Sequence, residues 1–267
     1  MQKLDEIIFG DCIDVMKKLS SESVNLILTD PPYIISKDSG MNEHYNNVQF
    51  NEENNITEVK TNEEWEQYKK ENNITDDINK DKYIKYGSIY GKKYCVKTDY
   101  GDWDNKFTME TLEKFIDEYY KKLKKGGTLI MFFDLWKITD LKNIMEKYKF
   151  KQPRVCQWRK TNPVPVNSKI NYLSNSIEYF FTFVKGKKPT FNSEYDSGVY
   201  NYPICHGKER YSHPTQKPLQ LISDIIGKHS NPGDVVLDNF AGTGTTAHAC
   251  ILLNRKYILI EKDDNYF

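Results

Sequence analysis

The sequence predicts an α/β fold with a mostly parallel sheet of seven strands. Short runs of aliphatic and β-branched residues alternate with segments whose apolar residues recur at helical spacing. The first such unit has the order strand, helix, strand, which implies parallel strands joined by a right-handed crossover. Two later strands follow each other with no helix between them. We therefore expect an antiparallel hairpin at one edge of the sheet.

The first unit runs from a strand at residues 6–11 through a helix at 12–19 to a strand at 24–29. Asp11 and Asp30 come at the ends of the two strands. Both should lie at the carboxyl edge of the sheet, where open α/β sheets bind ligands. Asp11 is equally well suited to capping the helix that follows it.

The strand pattern breaks from residue 34 to about residue 97, and we interpret this stretch as an insert. Its first part is rich in Asn and Glu and has few core-forming residues, although residues 63–69 could make a short helix with Trp65 and Tyr68 on one side. Further along, tyrosines such as Tyr83 alternate with the lysines Lys82, Lys85, Lys92 and Lys93. Lysine can pair with phosphate and tyrosine can stack on bases, so this part suits nucleic acid. A solvated, tyrosine-rich loop is the alternative.

Regular structure resumes after the insert. Helices are predicted at 108–125, ended by two glycines, and at 138–148, 219–229 and 246–253. Strands are predicted at 128–133, 154–158, 177–184, 235–238 and 257–261, and the segment 185–212 is expected to be irregular. Arg159 and Lys160 begin a proline-rich stretch that either flanks a substrate pocket or forms a turn at an edge strand.

A glycine-containing loop at 240–246 follows a strand and opens a helix. Gly242 and Gly244 allow positive φ and let a ligand approach backbone amides, and the helix N-terminus favours an anion. Glu261 ends the next strand, as carboxylates that bind ribose hydroxyls do. The spacing is not that of a phosphate-binding P-loop. Taken alone, the loop could be a simple turn and Glu261 a surface carboxylate.

The tetrapeptide from Asp30 to Tyr33 ends the strand at 24–29. Pro31 and Pro32 stiffen the turn, lack backbone N–H groups and present carbonyl acceptors. Asp30 adds a carboxylate acceptor and Tyr33 a flat ring. Such a cluster suits a planar group that bears an NH₂. A strand-end turn with a solvated aspartate is the alternative interpretation.

Composition narrows the class of protein. The 267 residues have a formal net charge of +0 and mean hydropathy of −0.72, and no apolar run approaches the roughly 20 residues of a membrane span. The N-terminus does not have the pattern of a signal peptide. The five cysteines are scattered and the five histidines lack ligand spacing, so we expect neither a disulfide framework nor a metal site. We expect a soluble, cytoplasmic protein.

Three motifs in order, Asp-Pro-Pro-Tyr, His-Pro-Thr-Gln-Lys-Pro and Asp-x-Phe-Ala-Gly-Thr-Gly-Thr-Thr, resemble those of S-adenosylmethionine-dependent DNA amino-methyltransferases. The order, with the catalytic motif first, is similar to that of the β class. The resemblance implies a circularly permuted, Rossmann-like methyltransferase fold with inserted target-recognition segments. It covers residues 1–33 and 98–267, the expected catalytic and cofactor-binding domain, and leaves out the insert at 34–97.

The resemblance also implies residue roles. Asp30 and the Pro31 carbonyl would hold the target amino group, with Pro32 completing the turn and Tyr33 stacking on a flipped base. Residues matching the family's cofactor positions are Asp11, Cys12, Asp30, His213, Thr215, Lys217, Asp238, Phe240, Gly242, Thr243, Gly244, Thr245, Thr246 and Glu261. The simpler alternatives are a turn residue for His213, a solvated charge for Lys217 and a small buried residue for Cys12.

In the family that the motifs resemble, the Asp form of the tetrapeptide accompanies N6 of adenine and a Ser form accompanies N4 of cytosine. The resemblance therefore implies N6 of adenine in double-stranded DNA, with N4 of cytosine as the runner-up. Two other classes of protein stay open. One is a protein glutamine methyltransferase, which would have Asn in place of Asp30, and the other is a module that binds the cofactor without catalysis. The insert and the segment 185–212 would recognise the DNA sequence, together with Arg159 and Lys160. The resemblance does not decide between a homodimer and a monomer, or whether a cognate restriction enzyme exists.

Overall fold

A computed structural model of the chain describes residues 3–32, 40–92, 107–163, 175–207, 216–264 and 267. By its contacts the chain divides into two compact units. One comprises Met1–Ile34 with Phe107–Phe267, and the other comprises Ile35–Lys106. None of the described helices is long and apolar enough to cross a membrane.

The larger unit is built on an eight-stranded sheet in the order β1-β8-β7-β2-β3-β5-β4-β6. Its strands are β1 Glu6–Phe9, β2 Val24–Thr29, β3 Leu123–Phe132, β4 Phe150–Lys160, β5 Ile177–Lys185, β6 Val199–Tyr202, β7 Val235–Asp238 and β8 Lys256–Glu261. Among these, β5 runs antiparallel to both of its neighbours, and the other pairings are parallel. The carboxyl ends of β2, β4, β7 and β8 therefore share one edge of the sheet with the amino end of β5.

Helices cover both faces of the sheet and are amphipathic where they pack on it. The described helices of the whole chain are α1 Cys12–Lys18, α2 Gly40–Glu53, α3 Asn62–Asn72, α4 Lys80–Tyr86, α5 Met109–Lys122, α6 Ile138–Lys147, α7 Leu219–His229 and α8 Thr245–Leu252, with a 3-10 turn at Leu135–Lys137. Helix α5 shows the pattern well, since Leu112, Phe115, Ile116 and Tyr119 are buried along one stripe. On the other face, α7 and α8 pack over the central strands.

The expected α/β sheet is confirmed, with two corrections. The sheet has eight strands, because Val199–Tyr202 in the segment expected to be irregular pairs in parallel with the end of β4. The antiparallel pair β4–β5 therefore does not form the edge, since β6 lies outside it. A four-residue strand between Gly198 and Pro203 is too short for its periodicity to be detected from the sequence.

The boundary between α5 and β3 also differs from the prediction. The helix ends at Lys122, three residues before the predicted 125, and Leu123 already pairs with Val24 of β2. Gly127 explains the close approach of these strands, because an added Cβ would lie 2.8 Å from a Leu123 methyl and 2.9 Å from the Asn25 carbonyl oxygen. The two glycines are thus part of the strand and do not end the helix.

The smaller unit is more ordered than its composition suggests. A capping box between Thr61 and Glu64 starts α3, and the predicted short helix is longer than expected. Trp65 is fully buried and its ring packs against Tyr83, with centroids 5.4 Å apart. Tyr83, which the sequence suggested for stacking on a base, is therefore a core residue of this unit.

Candidate active site at the sheet edge

The turn that begins with Asp30 follows β2 directly. Pro31 and Pro32 are buried and Asp30 is partly exposed. Thr29, just before them, is 1% exposed and ends the strand. Tyr33 lies outside the described residues, as do Lys93, His213 and Thr215.

The glycine-containing loop follows β7, the parallel neighbour of β2, so both motifs emerge side by side. The register pairs Ile27 with Leu237, which brings Thr29 level with Asn239. The Thr29 hydroxyl donates to Asn239 Oδ1 at 3.0 Å, and the Tyr119 hydroxyl donates to the same oxygen at 2.8 Å. The buried side-chain amide of Asn239 thus joins β2, the glycine loop and α5.

Asn239 was not identified from the sequence. It is completely buried, and its Nδ2 has no hydrogen-bond partner among the described residues. Its signal in the sequence is weak: a polar residue directly after a buried strand, flanked by the predicted Asp238 and Phe240. Its partners are 210 and 120 residues away, beyond the reach of local patterns.

The backbone of the glycine loop adopts the positive φ angles that glycine allows. Gly242 and Gly244 have φ of +49° and +77°, and Gly244 caps α8. An added Cβ at Gly244 would meet nothing within 4 Å, so open space adjoins the start of this helix. Thr243 and Thr245 are half-buried, whereas Phe240 turns its ring towards Phe107 and Phe115 at 6.0 and 5.3 Å.

Asp238 is the buried carboxylate of the loop. It accepts hydrogen bonds from the Thr246 hydroxyl at 2.6 Å and from the Phe240 N–H at 3.1 Å. Burial raises its pKa from 3.8 to about 7, the two hydrogen bonds oppose that shift, and the charges of Asp30 and Glu261 add to it. Asp238 therefore keeps its proton up to a higher pH than an exposed aspartate does.

Glu261 lies at the end of β8 beside the loop. Its Oε2 accepts the Gly242 N–H at 2.7 Å, and its Oε1 accepts the N–H groups of Lys262 and Asp263, both at 2.8 Å. The residue is 6% exposed. The Glu261 carboxylate thus ties the glycine loop to the end of β8. Each carboxylate oxygen still has a lone pair that can accept a further hydrogen bond.

Asp11 and Cys12 lie on the far side of β8. Asp11 caps α1, accepting from the Ile13 and Asp14 N–H groups at 3.0 and 3.3 Å, so the capping interpretation is confirmed. Cys12 is buried and its thiol donates to the Asn239 carbonyl at 2.8 Å. Burial, with nearby carboxylates, raises the pKa of Cys12 to about 12, which keeps it a neutral thiol.

Lys217 reaches Asp30 in the turn after β2. Its ammonium forms an ion pair with Asp30 Oδ2, lies 3.4 Å from Glu178 Oε2 and sits over the Phe132 ring at 4.9 Å. Glu178 in turn pairs with Lys160 at 2.7 Å. Burial works to raise the pKa of Glu178, but the two ammonium groups outweigh it and hold that pKa below its ordinary value. Glu178 was not identified from the sequence.

The residues suggested for DNA binding fall into two groups. Arg159 is exposed at the end of β4, whereas Lys160 is mostly buried and directed to Glu178. In the smaller unit, Lys82 donates to Asn79 at 3.3 Å, Lys85 lies over the Tyr86 ring at 5.3 Å, and Lys92 pairs with Glu52. The contacts of these lysines are thus mostly local.

Comparison with known proteins identifies the family. A family model described as DNA methylase, of the N6/N4 methyltransferase type, matches residues 24–267. The chain belongs to this family of DNA methylases, which confirms the resemblance drawn from the motifs. Type II methyltransferase M.HinfI of Haemophilus influenzae is 28% identical over 281 residues, covering 98% of this chain and 66% of the relative. The chain thus spans about two thirds of that relative's length.

Solved structures have the same fold. The M1.HpyAVI–SAM complex superposes with a TM-score of 0.60 at 24% identity, covering 98% of this chain and 95% of the other. The PvuII DNA methyltransferase, described as cytosine-N4-specific, superposes with a TM-score of 0.65 at 15% identity, covering 98% and 83%. At these identities the likeness establishes the methyltransferase fold.

Proposed function

We propose that this chain transfers a methyl group from S-adenosylmethionine to the exocyclic N6 of adenine in double-stranded DNA. The observation that carries the proposal is the adjacency of the two motif-bearing strand ends. Asp30 follows β2, the glycine loop follows β7, and the Thr29–Asn239 hydrogen bond of 3.0 Å ties them together. An amino-group holder and a candidate cofactor loop at neighbouring strand ends fit a group-transfer site.

The residues at the loop fit S-adenosylmethionine. Open space at Gly244 and the N-terminus of α8 suit its amino-acid carboxylate, and the carboxylates of Asp238 and Glu261 suit its positive charge and its hydroxyls. Asp11 and Cys12 would lie on the adenine side. When bound, the cofactor supplies a methyl group activated by a sulfonium. The family assignment supports the same cofactor.

Asp30 and Pro31 would prepare the target nitrogen. The lone pair of an aromatic amine is delocalised into the ring, which makes the nitrogen a poor nucleophile. Acceptors outside the ring plane favour a pyramidal nitrogen and so free its lone pair. The Asp30 carboxylate and the Pro31 carbonyl supply such acceptors at fixed positions, as electrostatic preorganisation more than proton abstraction.

The target base must leave the duplex to reach this turn, because the amino group is not accessible inside the stack. Tyr33 is the proposed stacking partner. The insert at 34–97, the segment 185–212 and Arg159 are proposed to contact DNA. The insert lysines Lys82, Lys85, Lys92 and Lys93 are proposed to pair with phosphates.

Replacing Asp30 by Ala tests the proposed catalytic role. We expect D30A to bind S-adenosylmethionine as the wild type does, measured by titration calorimetry, and to lose transfer of labelled methyl groups to DNA. The charge-matched control is D140A, which removes an exposed aspartate on α6 and should be fully active. Full activity of D30A would refute the role of this carboxylate.

Nucleoside analysis by mass spectrometry identifies the base. DNA from cells expressing the protein is digested, and N6-methyladenine is the expected product. N4-methylcytosine would instead support the runner-up, which the likeness to the cytosine-N4-specific PvuII enzyme keeps in view. Absence of any methylated base would favour a protein substrate or a module without catalysis.

A further inference from the structure

Four side chains of alternating charge form a line at the carboxyl edge of the sheet. Asp30 pairs with Lys217, Lys217 lies 3.4 Å from Glu178, and Glu178 lies 2.7 Å from Lys160. Their side chains are 27%, 9%, 22% and 13% exposed, in the same order. Partial shielding from water strengthens each of these interactions relative to surface ion pairs.

The sheet topology creates this line. Lys160 is the last residue of β4, and Glu178 is the second residue of the antiparallel β5, so both reach the edge where β2 ends. Lys217 comes just before α7 and lies between the two carboxylates. Residues 187 positions apart in the chain, Asp30 and Lys217, are thereby brought together.

Glu178 is held between two ammonium groups. Its Oε1 lies 2.7 Å from the Lys160 ammonium, and its buried Oε2 lies 3.4 Å from the Lys217 ammonium. Opposite charges at these distances favour the ionised carboxylate and fix its position. Glu178 is thus the second carboxylate, after Asp30, that the Lys217 ammonium contacts.

We propose that Glu178, anchored by Lys160, is a positioning residue for methyl transfer. The inference rests on the proposed function. Glu178 shares the Lys217 ammonium with Asp30 and fixes where that ammonium sits, so Asp30 keeps its orientation and its negative character towards the target amino group. Without the charge of Glu178, Lys217 would pair more strongly with Asp30 and weaken it as an acceptor.

Steady-state kinetics of E178Q test the proposal, since glutamine keeps the size of the side chain and removes its charge. We expect kcat for methyl transfer to DNA to fall about 10- to 100-fold, a range typical of small errors in positioning. The KM values for S-adenosylmethionine and for DNA should stay within about twofold of wild type, because Glu178 touches neither in this mechanism.

Lys160→Met gives a second test that leaves the carboxylate in place. It should lower kcat in the same direction, and adding it to E178Q should cause little further loss, because Lys160 acts through Glu178. The matched control is E118Q on α5, where a buried glutamate also pairs with two lysines, at 2.9 Å from Lys121 and 3.6 Å from Lys122. Its kcat should equal that of wild type.

The outcomes separate the possibilities. If the wild type methylates DNA and the kcat of E178Q is within twofold of it, the proposed role of Glu178 is wrong and the proposed function stands. Equal losses of kcat in E178Q and E118Q would also overturn it, as would a K160M variant that raises KM for DNA at unchanged kcat. A wild type that methylates no DNA refutes the proposed function and this inference together.

Discussion

The Asp238 carboxyl group couples protonation to stability. Its pKa in the folded protein, about 7, is well above the ordinary 3.8 because it is buried and faces other carboxylates. The folded state therefore holds this proton at pH values where the unfolded chain has released it. Its contribution to stability is complete below about pH 4 and is lost as pH rises towards 7, a change of about 4 kcal/mol.

Asp238→Asn should remove this pH dependence. The amide keeps an acceptor for the Phe240 N–H and can still bond the Thr246 hydroxyl. In urea unfolding of the cofactor-free protein, we expect the stability advantage of D238N over wild type to grow by roughly 2–3 kcal/mol between pH 5 and pH 8. A difference that is constant across this range would show that Asp238 titrates normally.

The site residues that belong to a sequence motif could be predicted. Those that come together only through the fold could not. Asp30, Asp238 and Glu261 each end a recognisable strand, so the sequence locates them at the sheet edge. Asn239 and Glu178 have no motif of their own. Their roles arise from partners on other strands and helices, such as Thr29, which is 210 residues from Asn239.

Among the elements, the packing of β2 on β3 depends on Gly127. A side chain there would approach Leu123, the Asn25 carbonyl and the Lys124 carbonyl at 2.8, 2.9 and 3.0 Å. Two of the three neighbours are backbone atoms and cannot turn aside. The register of β2 also shifts next to this point, between Val24 and Leu26. Small size at residue 127 is therefore a condition for the strand that carries Asp30.

Gly127→Ala should destabilise the protein by about 1–3 kcal/mol, the usual cost of forcing a methyl group into packed structure. Gly227→Ala is the matched control, because Gly227 lies inside α7 and an added Cβ meets nothing within 4 Å. That change should stabilise by up to about 1 kcal/mol. Chemical denaturation measures the free energy of unfolding of both variants. Equal changes in the two variants would contradict the packing argument.

The bounds of helices and strands agree with the prediction where the apolar periodicity and the flanking turn residues indicate the same position. The bounds of β2, β7 and α7 are those predicted. The two strands are short apolar runs and α7 has a regular apolar stripe, and turn residues flank all three. The end of α5 was predicted too late because Leu123 continues the helical stripe, while tertiary pairing with Val24 draws it into β3. β6 has four residues, and its pairing with β4 creates the strand more than its own sequence does.

At the scale of the whole molecule, the balanced charge is compatible with DNA binding only if basic groups are concentrated locally. The chain has 38 Lys and Arg against 38 Asp and Glu. The smaller unit combines Glu-rich and Lys-rich stretches. Within it, Lys82 contacts Asn79 and Lys85 lies over the Tyr86 ring. These lysines are the natural candidates for binding phosphates in that unit.

Replacing Lys82 and Lys85 by Gln should flatten the salt dependence of DNA binding. Every lysine–phosphate pair that is removed lowers the steepness of log K against log salt by about 0.9, so removing two pairs should lower it by nearly 2. The control is K142Q on α6, which removes an exposed lysine paired with Glu146 and should leave the slope unchanged. Fluorescence anisotropy across a salt series measures the slope. An unchanged slope in the double variant would exclude these two lysines from the DNA surface, and Arg159 and the segment 185–212 would become the next candidates.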